Sequence, residues 1–182
     1  RECSQGVGRL AVKIKADGSS LCEADMHVHQ LLSKSLSKIM PGVPVLSEEA
    51  EAVSWATRQN WPRYWLLDPL DGTSAFLRGE TDYCINVALI EHNKPVLGVV
   101  YGPHEDVCYF ASEKGGAFKC HGDSIISLRC AVLKKEAVLT MSRRDLPKPA
   151  QTVLTSQGYS CKVLAGSSAL KFAMVASGQA DV

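Results

Sequence analysis

Residues 65–76 read Trp-Leu-Leu-Asp68-Pro69-Leu70-Asp71-Gly72-Thr73-Ser-Ala-Phe, and this stretch limits the fold more than any other. The apolar and aromatic run from Tyr64 to Leu67 has the composition of a buried strand. Asp68 therefore falls where a strand ends, because Pro69 cannot extend a ladder and the chain must turn there. Gly72 permits the tight backbone path that follows. A turn of this kind aims the Asp68 carboxylate, the Leu70 carbonyl and the Asp71 carboxylate into one small volume. Like charges that close repel unless a cation lies between them. Hard oxygen donors of this sort suit Mg²⁺. The plain alternative is a solvated turn in which Asp-Gly is punctuation, but a buried strand leading into two acids is costly to build for that.

The 182 residues suffice for one domain with a real core, or for one domain and part of a second. A net charge of +1 offers no basic surface for nucleic acid and no acidic tail. No apolar run approaches the ~20 residues of a membrane span. The cysteines (Cys3, Cys22, Cys84, Cys108, Cys120, Cys130 and Cys161) are odd in number and include no C-x-x-C pair. They read as reduced thiols of a cytoplasmic protein rather than a zinc or disulfide framework. Both ends read as cut, since the chain opens on Arg1 and stops at Ala180-Asp181-Val182 inside a strand-like run.

Residues 8–17 suggest an extended pair or a short strand. From Ala24 to Met40, Val28, Leu31, Leu32, Leu36 and Ile39 recur at the spacing of an amphipathic helix. Pro41-Gly42 ends it, and Val43–Leu46 is a short strand leading to Ser47-Glu48-Glu49. Residues 50–60 are expected to be helical. Tyr83–Glu91 and Pro95–Tyr101 form two strands joined by His92-Asn93-Lys94, a hairpin signal. Strands at 107–112 and 116–119 continue a largely antiparallel sheet. A strand at 137–141, a helix at 149–157, a strand at 160–165 and a helix at 168–177 then alternate as a β-α-β unit. We expect a boundary near 130–136, dividing a metal-binding α+β domain (1–133) from the start of an α/β domain (134–182).

Three acidic groups, Asp25, Glu48-Glu49 and Asp68/Asp71, stand at element ends and could converge on one sheet edge. A pair of Mg²⁺ ions roughly 3.5–4 Å apart needs such carboxylates, and would clamp both oxygens of a phosphoryl transfer. Asp25 suits the first turn of a helix equally well, and Glu48-Glu49 alone would be an ordinary solvated loop. The Thr73 hydroxyl could orient a water, with Asp25 or Glu48 taking its proton; it could also cap the next turn. Backbone amides at Gly72 and Thr73 could hold phosphate oxygens. The five histidines, His27, His29, His92, His104 and His121, read as surface or packing residues, and His27 and His29 do not face one another on a helix.

Asp68-Pro-Leu-Asp71-Gly72-Thr73-x-x-Phe76 resembles the signature of the lithium-sensitive, Mg²⁺-dependent inositol monophosphatase superfamily. Val45-Leu-Ser-Glu48-Glu49 and Glu23-Ala-Asp25 match its other metal-site segments in order and spacing. Pro44–Glu49, Arg63–Thr73, Asn86–Ile90, Lys94–Tyr101, Leu170-Lys171-Phe172 and Ser177–Ala180 are most similar to the bacterial 3'(2'),5'-bisphosphate nucleotidase subgroup. The resemblance implies a mixed α/β (α+β) chain with a layered α/β/α/β/α fold. It also implies loss of the 3'-phosphate of adenosine 3',5'-bisphosphate to metal-activated water, giving AMP, a clean-up step of sulfate assimilation. Carried over by position, Glu48, Asp68, the Leu70 carbonyl and Asp71 would ligate magnesium, as two or three Li⁺-sensitive sites. Asp25 and Thr73, with Glu48, would activate the water. Leu70, Asp71, Gly72 and Thr73 would cradle the phosphate, and Ser142, Arg143 and Lys171 would meet the rest of the substrate.

The sequence departs from that pattern in places. The superfamily carries a later Trp-Asp-x-Ala-Ala-Gly segment whose aspartate completes a metal site, and this chain stops before it. Ser74-Ala75 stands where the subgroup has Lys-Glu, Cys22 where it has Thr, and Asp145 where it has His. Inositol monophosphate and sugar phosphates such as fructose 1,6-bisphosphate are the rival substrates. A binder of phosphate or nucleotide without catalysis is the rival of another class. The expected partner is thus a small phosphorylated molecule, with no nucleic acid and no membrane span.

Overall fold

The computed structural model describes residues 12–14, 20–130, 132, 136–141 and 149–181. Two short strands, β1 (Val12–Ile14) and β2 (Ser20–Cys22), pair antiparallel and lead into helix α1 (Glu23–Ile39). Then come β3 (Val45–Ser47), α2 (Trp55–Arg58), β4 (Arg63–Asp71) and α3 (Thr73–Leu77). Strands β5 (Cys84–Glu91), β6 (Lys94–Gly102), β7 (Val107–Ser112), β8 (Gly116–His121) and β9 (Ser124–Ser127) follow as a meander. The last elements are β10 (Glu136–Met141), α4 (Pro149–Ser156), β11 (Ser160–Ala165) and α5 (Ser168–Ala176).

The main sheet has seven strands in the order β3-β4-β5-β6-β7-β8-β9. Only β3 and β4 run parallel, and every other pairing in it is antiparallel. The hairpin between β5 and β6 is tight, with His92 and Asn93 both at positive φ (47° and 62°). That is the left-handed pair a two-residue hairpin loop requires, and Asn tolerates it better than most residues. Strands β10 and β11 pair parallel around α4, the β-α-β arrangement expected from the alternation of elements. Ala137, Leu139 and Met141 of β10 are buried against Leu154, Tyr159 and Cys161.

Helix α1 lies on β4, where Leu36 packs with Trp65 and Leu89. Its apolar stripe is only partly covered, since Leu31 and Ile39 remain 59% and 68% exposed. Trp65 and Leu67 of β4 are buried, and full burial of such side chains contributes roughly 1.5–3 kcal/mol each. This anchors β4 and, through it, whatever its far end carries.

Two expectations need correction. The helix over 50–60 shrinks to the single turn Trp55–Arg58, none of whose residues is buried. With no apolar face against the core, the turn rests on local hydrogen bonds: the Ser54 hydroxyl accepts from the Thr57 amide at 3.3 Å and the Ser54 carbonyl accepts from the Arg58 amide at 3.0 Å. Strand β4 also does not end at Asp68. It continues to Asp71 through a bulge, with Asp68 opposite Asn86 and Asp71 opposite Cys84. Three steps on β4 face two on β5, so Pro69 falls in the extra stretch, where no ladder amide is needed.

Candidate active site

The bulge is the centre of the site, because it turns consecutive carboxylates of one strand toward the same edge. Gly72 follows it with φ at +91°, and a Cβ there would stand 2.5 Å from the Asp82 carbonyl oxygen. Only glycine fits both the left-handed backbone and that close approach. The chain can then enter α3 at once, with the Ala75 and Phe76 amides donating to the Gly72 carbonyl.

Thr73 begins that helix, and its hydroxyl lies 3.0 Å from Asp25 Oδ1 and 3.0 Å from the Leu70 carbonyl oxygen. Asp25 comes from the first turn of α1, far away in sequence, and is 1% exposed. A buried carboxylate needs such a donor. Thr73, in turn, keeps oxygen lone pairs for a further donor. Glu48 leaves the end of β3, tied down by its own amide donating to the Leu67 carbonyl at 3.1 Å.

Asp68 shows the strain of the arrangement. Burial, together with the charges of Glu48 and Asp71, pushes its carboxyl up to about 6, while the Asn86 side chain and the Leu70 backbone pull it down. Its Oδ2 accepts from Asn86 Nδ2 at 3.3 Å. Its Oδ1 is buried without any hydrogen-bond partner. An unsatisfied buried acceptor costs about 1–3 kcal/mol, and a cation beside it would remove both that cost and the mutual repulsion of the acids. The donors are oxygens throughout, which fits magnesium better than zinc or copper. Among the described residues, no three His, Cys, Asp or Glu side chains close into a metal cage.

Asp71 faces the other way as well. Its Oδ2 accepts from the Ala169 amide at 2.9 Å, in the first turn of α5. Ser167 caps that helix. Cys84 lies between, fully buried, with its thiol 3.1 Å from Ser167 Oγ, 3.4 Å from Asn86 Oδ1 and 3.7 Å from Asp71 Oδ2. Burial pushes this thiol up to about 12, so it is no nucleophile.

Of the residues singled out in the sequence, Asp25, Leu70, Asp71, Gly72 and Thr73 are brought together by direct contact or chain continuity, and Glu48 and Asp68 adjoin them through their charges. Lys171 sits two residues beyond Ala169 on α5 and lines a hollow with Thr140 and Ser168. Ser142 and Arg143 lie outside the described residues. Sequence reasoning missed Asn86, Cys84, Ser167 and the Ala169 amide as members of the site. Asn86 leaves one signal, an amide inside an otherwise apolar strand. Ser167 leaves another, a hydroxyl just before an apolar run at helical spacing. His29 is a packing residue, its Nδ1 2.8 Å from Ser47 Oγ, and it ties α1 to β3.

Comparison with known proteins gives the chain its relatives. The inositol monophosphatase family matches residues 8–182. The chain is 40% identical over 179 residues to the 3'(2'),5'-bisphosphate nucleotidase CysQ of Escherichia coli K12, spanning 97% of this chain and 70% of that protein. The crystal structure of the extragenic suppressor protein SuhB from Bartonella henselae superposes with a TM-score of 0.79 at 26% identity, over 98% of this chain and 69% of that one. An IMPase/NADP phosphatase complexed with Mg²⁺ and phosphate superposes with a TM-score of 0.75 at 26% identity, over 96% and 65% respectively.

Proposed function

This chain belongs to the inositol monophosphatase family, and on that footing we propose that it is a Mg²⁺-dependent phosphomonoesterase acting on 3'(2'),5'-bisphosphate nucleotides. The favoured reaction is removal of the 3'-phosphate of adenosine 3',5'-bisphosphate to give AMP. The 40% identity to a nucleotidase over nearly the whole chain supports the substrate class. The observation that carries the chemistry is the Thr73 hydroxyl, held 3.0 Å from the buried Asp25 carboxylate at the mouth of the acidic bulge.

The carboxylates of Glu48, Asp68 and Asp71 and the carbonyl of Leu70 would hold magnesium, in two or three ions. Magnesium, when bound, supplies positive charge that acidifies a nearby water and offsets the charge of the phosphate. Thr73 takes a proton from that water on Oγ1 while passing its own to Asp25 Oδ1, so the pair acts as a relay to a general base. Glu48 offers a second carboxylate for the same water. The Gly72 and Thr73 amides, at the start of α3, face the phosphate oxygens, and Lys171, with Ser142 and Arg143, supplies charge and hydrogen bonds for the substrate's second phosphate. A buried thiol held protonated plays no covalent part.

Phosphate release from adenosine 3',5'-bisphosphate, inositol 1-phosphate and fructose 1,6-bisphosphate, each with Mg²⁺, tests the reading. The nucleotide should turn over fastest, and Li⁺ should inhibit. Much faster turnover of inositol phosphate would overturn the substrate assignment. Ser74-Ala75, at the place where the nucleotidase subgroup carries Lys-Glu, is the feature that keeps inositol and sugar phosphates as a second reading. Asp71→Asn separates enzyme from binder, because hydrolysis should vanish if the acid is catalytic machinery.

A further inference from the structure

Asn86 is the polar residue on the inner stretch of β5 that stands directly opposite Asp68 across the ladder. Its Nδ2 donates to Asp68 Oδ2 at 3.3 Å, while its Oδ1 lies 3.4 Å from the Cys84 thiol. A thiol donates its proton and a carboxylate only accepts, so just one orientation of the amide makes both contacts bonds. The Cys84 sulfur is in turn 3.1 Å from Ser167 Oγ, the cap of α5. A file of polar groups thus runs from the helix cap through Cys84 and Asn86 to one oxygen of Asp68. The other oxygen, Oδ1, is the one left buried and unpartnered.

We propose that Asn86 is a positioning residue: held by Cys84, it occupies Asp68 Oδ2 and so presents Oδ1 as the oxygen that meets a divalent cation. The inference rests on the magnesium reading of the site given above. A carboxylate free to rotate offers either oxygen and loses that freedom on binding. One already pinned has less to lose, which is why partners behind metal ligands are typically worth 10–100-fold in affinity. Cys84 is therefore part of the alignment of the acids, which gives a role to a fully buried thiol beside the Asp71 carboxylate.

The test is calorimetric titration of the full chain with Mg²⁺ alone, with no substrate present, alongside thermal melts without metal. Asn86→Leu keeps the volume and removes both bonds; the Mg²⁺ dissociation constant should rise about 10-fold or more. Cys84→Ala should weaken binding several-fold, and Cys84→Ser, which restores a donor, should recover it. A purely structural role would lower the metal-free melting temperature and leave the Mg²⁺ constant unchanged, and that result overturns the proposal. Should Asn86→Leu fail to fold, the Cys84 pair decides by the same criterion. Asp68→Asn separates the two levels. If it abolishes Mg²⁺ binding while Asn86→Leu and Cys84→Ala bind as the parent does, only the role of Asn86 falls. If the parent binds no Mg²⁺, the magnesium reading and this inference fall together.

Discussion

Replacing Gly72 with alanine perturbs the one backbone position on which the site turns. At φ +91° the residue sits in left-handed space, which costs an L-amino acid roughly 1–2 kcal/mol. The added Cβ also meets the Asp82 carbonyl at 2.5 Å, and the Tyr83 Cα and Cβ at 3.1 and 3.2 Å. Two of these three are backbone atoms, so relief requires moving the chain, and overpacking of that kind adds about 1–3 kcal/mol. Near the middle of that range the total is about 3 kcal/mol, or a drop of roughly 6–12 °C in melting temperature for a chain of this size. Gly42→Ala is the internal control. Its φ is +83°, but nothing lies within 4 Å of its Cβ position. Only the backbone cost applies there, about 1 kcal/mol, or roughly 2–4 °C. Thermal unfolding by circular dichroism measures both. Because the shift at Gly72 displaces Thr73 from its 3.0 Å contacts, phosphate release should fall in Gly72→Ala and not in Gly42→Ala. Equal melting temperatures for the two variants, or full activity in Gly72→Ala, would refute the reasoning.

Thr73→Val, nearly isosteric, should lower kcat about 10²–10⁴-fold by removing the proton relay, and Thr73→Ser should recover most of it; equal rates in Val and Ser variants would remove Thr73 from the mechanism. Asp68, pushed from 3.8 up to about 6, holds its proton more tightly folded than unfolded. The metal-free protein should therefore lose stability as pH rises from about 4 through 6, and Mg²⁺ should bind more weakly as pH falls through about 6. Denaturant midpoints of the parent and of Asp68→Asn check this, since the gap between them should widen with pH, and a constant gap counts against it. Among the described cysteines, Cys130 is exposed and Cys84 is buried with its thiol pushed up to about 12. A thiol reagent followed by mass mapping should label Cys130 first and Cys84 only after denaturation. Rapid native labelling of Cys84 would contradict its burial.

The amino-acid sequence by itself determined what is local. The apolar run before Asp68, the helical spacing from Ala24 to Met40, the Asn93 hairpin and the β-α-β rhythm after residue 136 each depend on neighbours within a few positions. Periodicity and turn chemistry record such neighbours directly. The acids at 25, 48, 68 and 71 were legible as a constellation for the same reason, since Asp25 and Glu48 flank a readable helix and strand and Asp68 and Asp71 bracket a proline signal. What only the tertiary structure decided is how those ends meet. Sequence suggested that Pro69 stops the strand; the ladder with β5 continues it as a bulge, because pairing partners, not local propensity, set where a strand ends. Sequence offered Thr73 as a cap or a water ligand; the fold placed its hydroxyl against Asp25, a contact across 48 residues. The polar file from Ser167 through Cys84 and Asn86 to Asp68 was invisible along the chain, because its members lie on three different elements. Their distances follow from strand register and helix docking, which no window of sequence encodes.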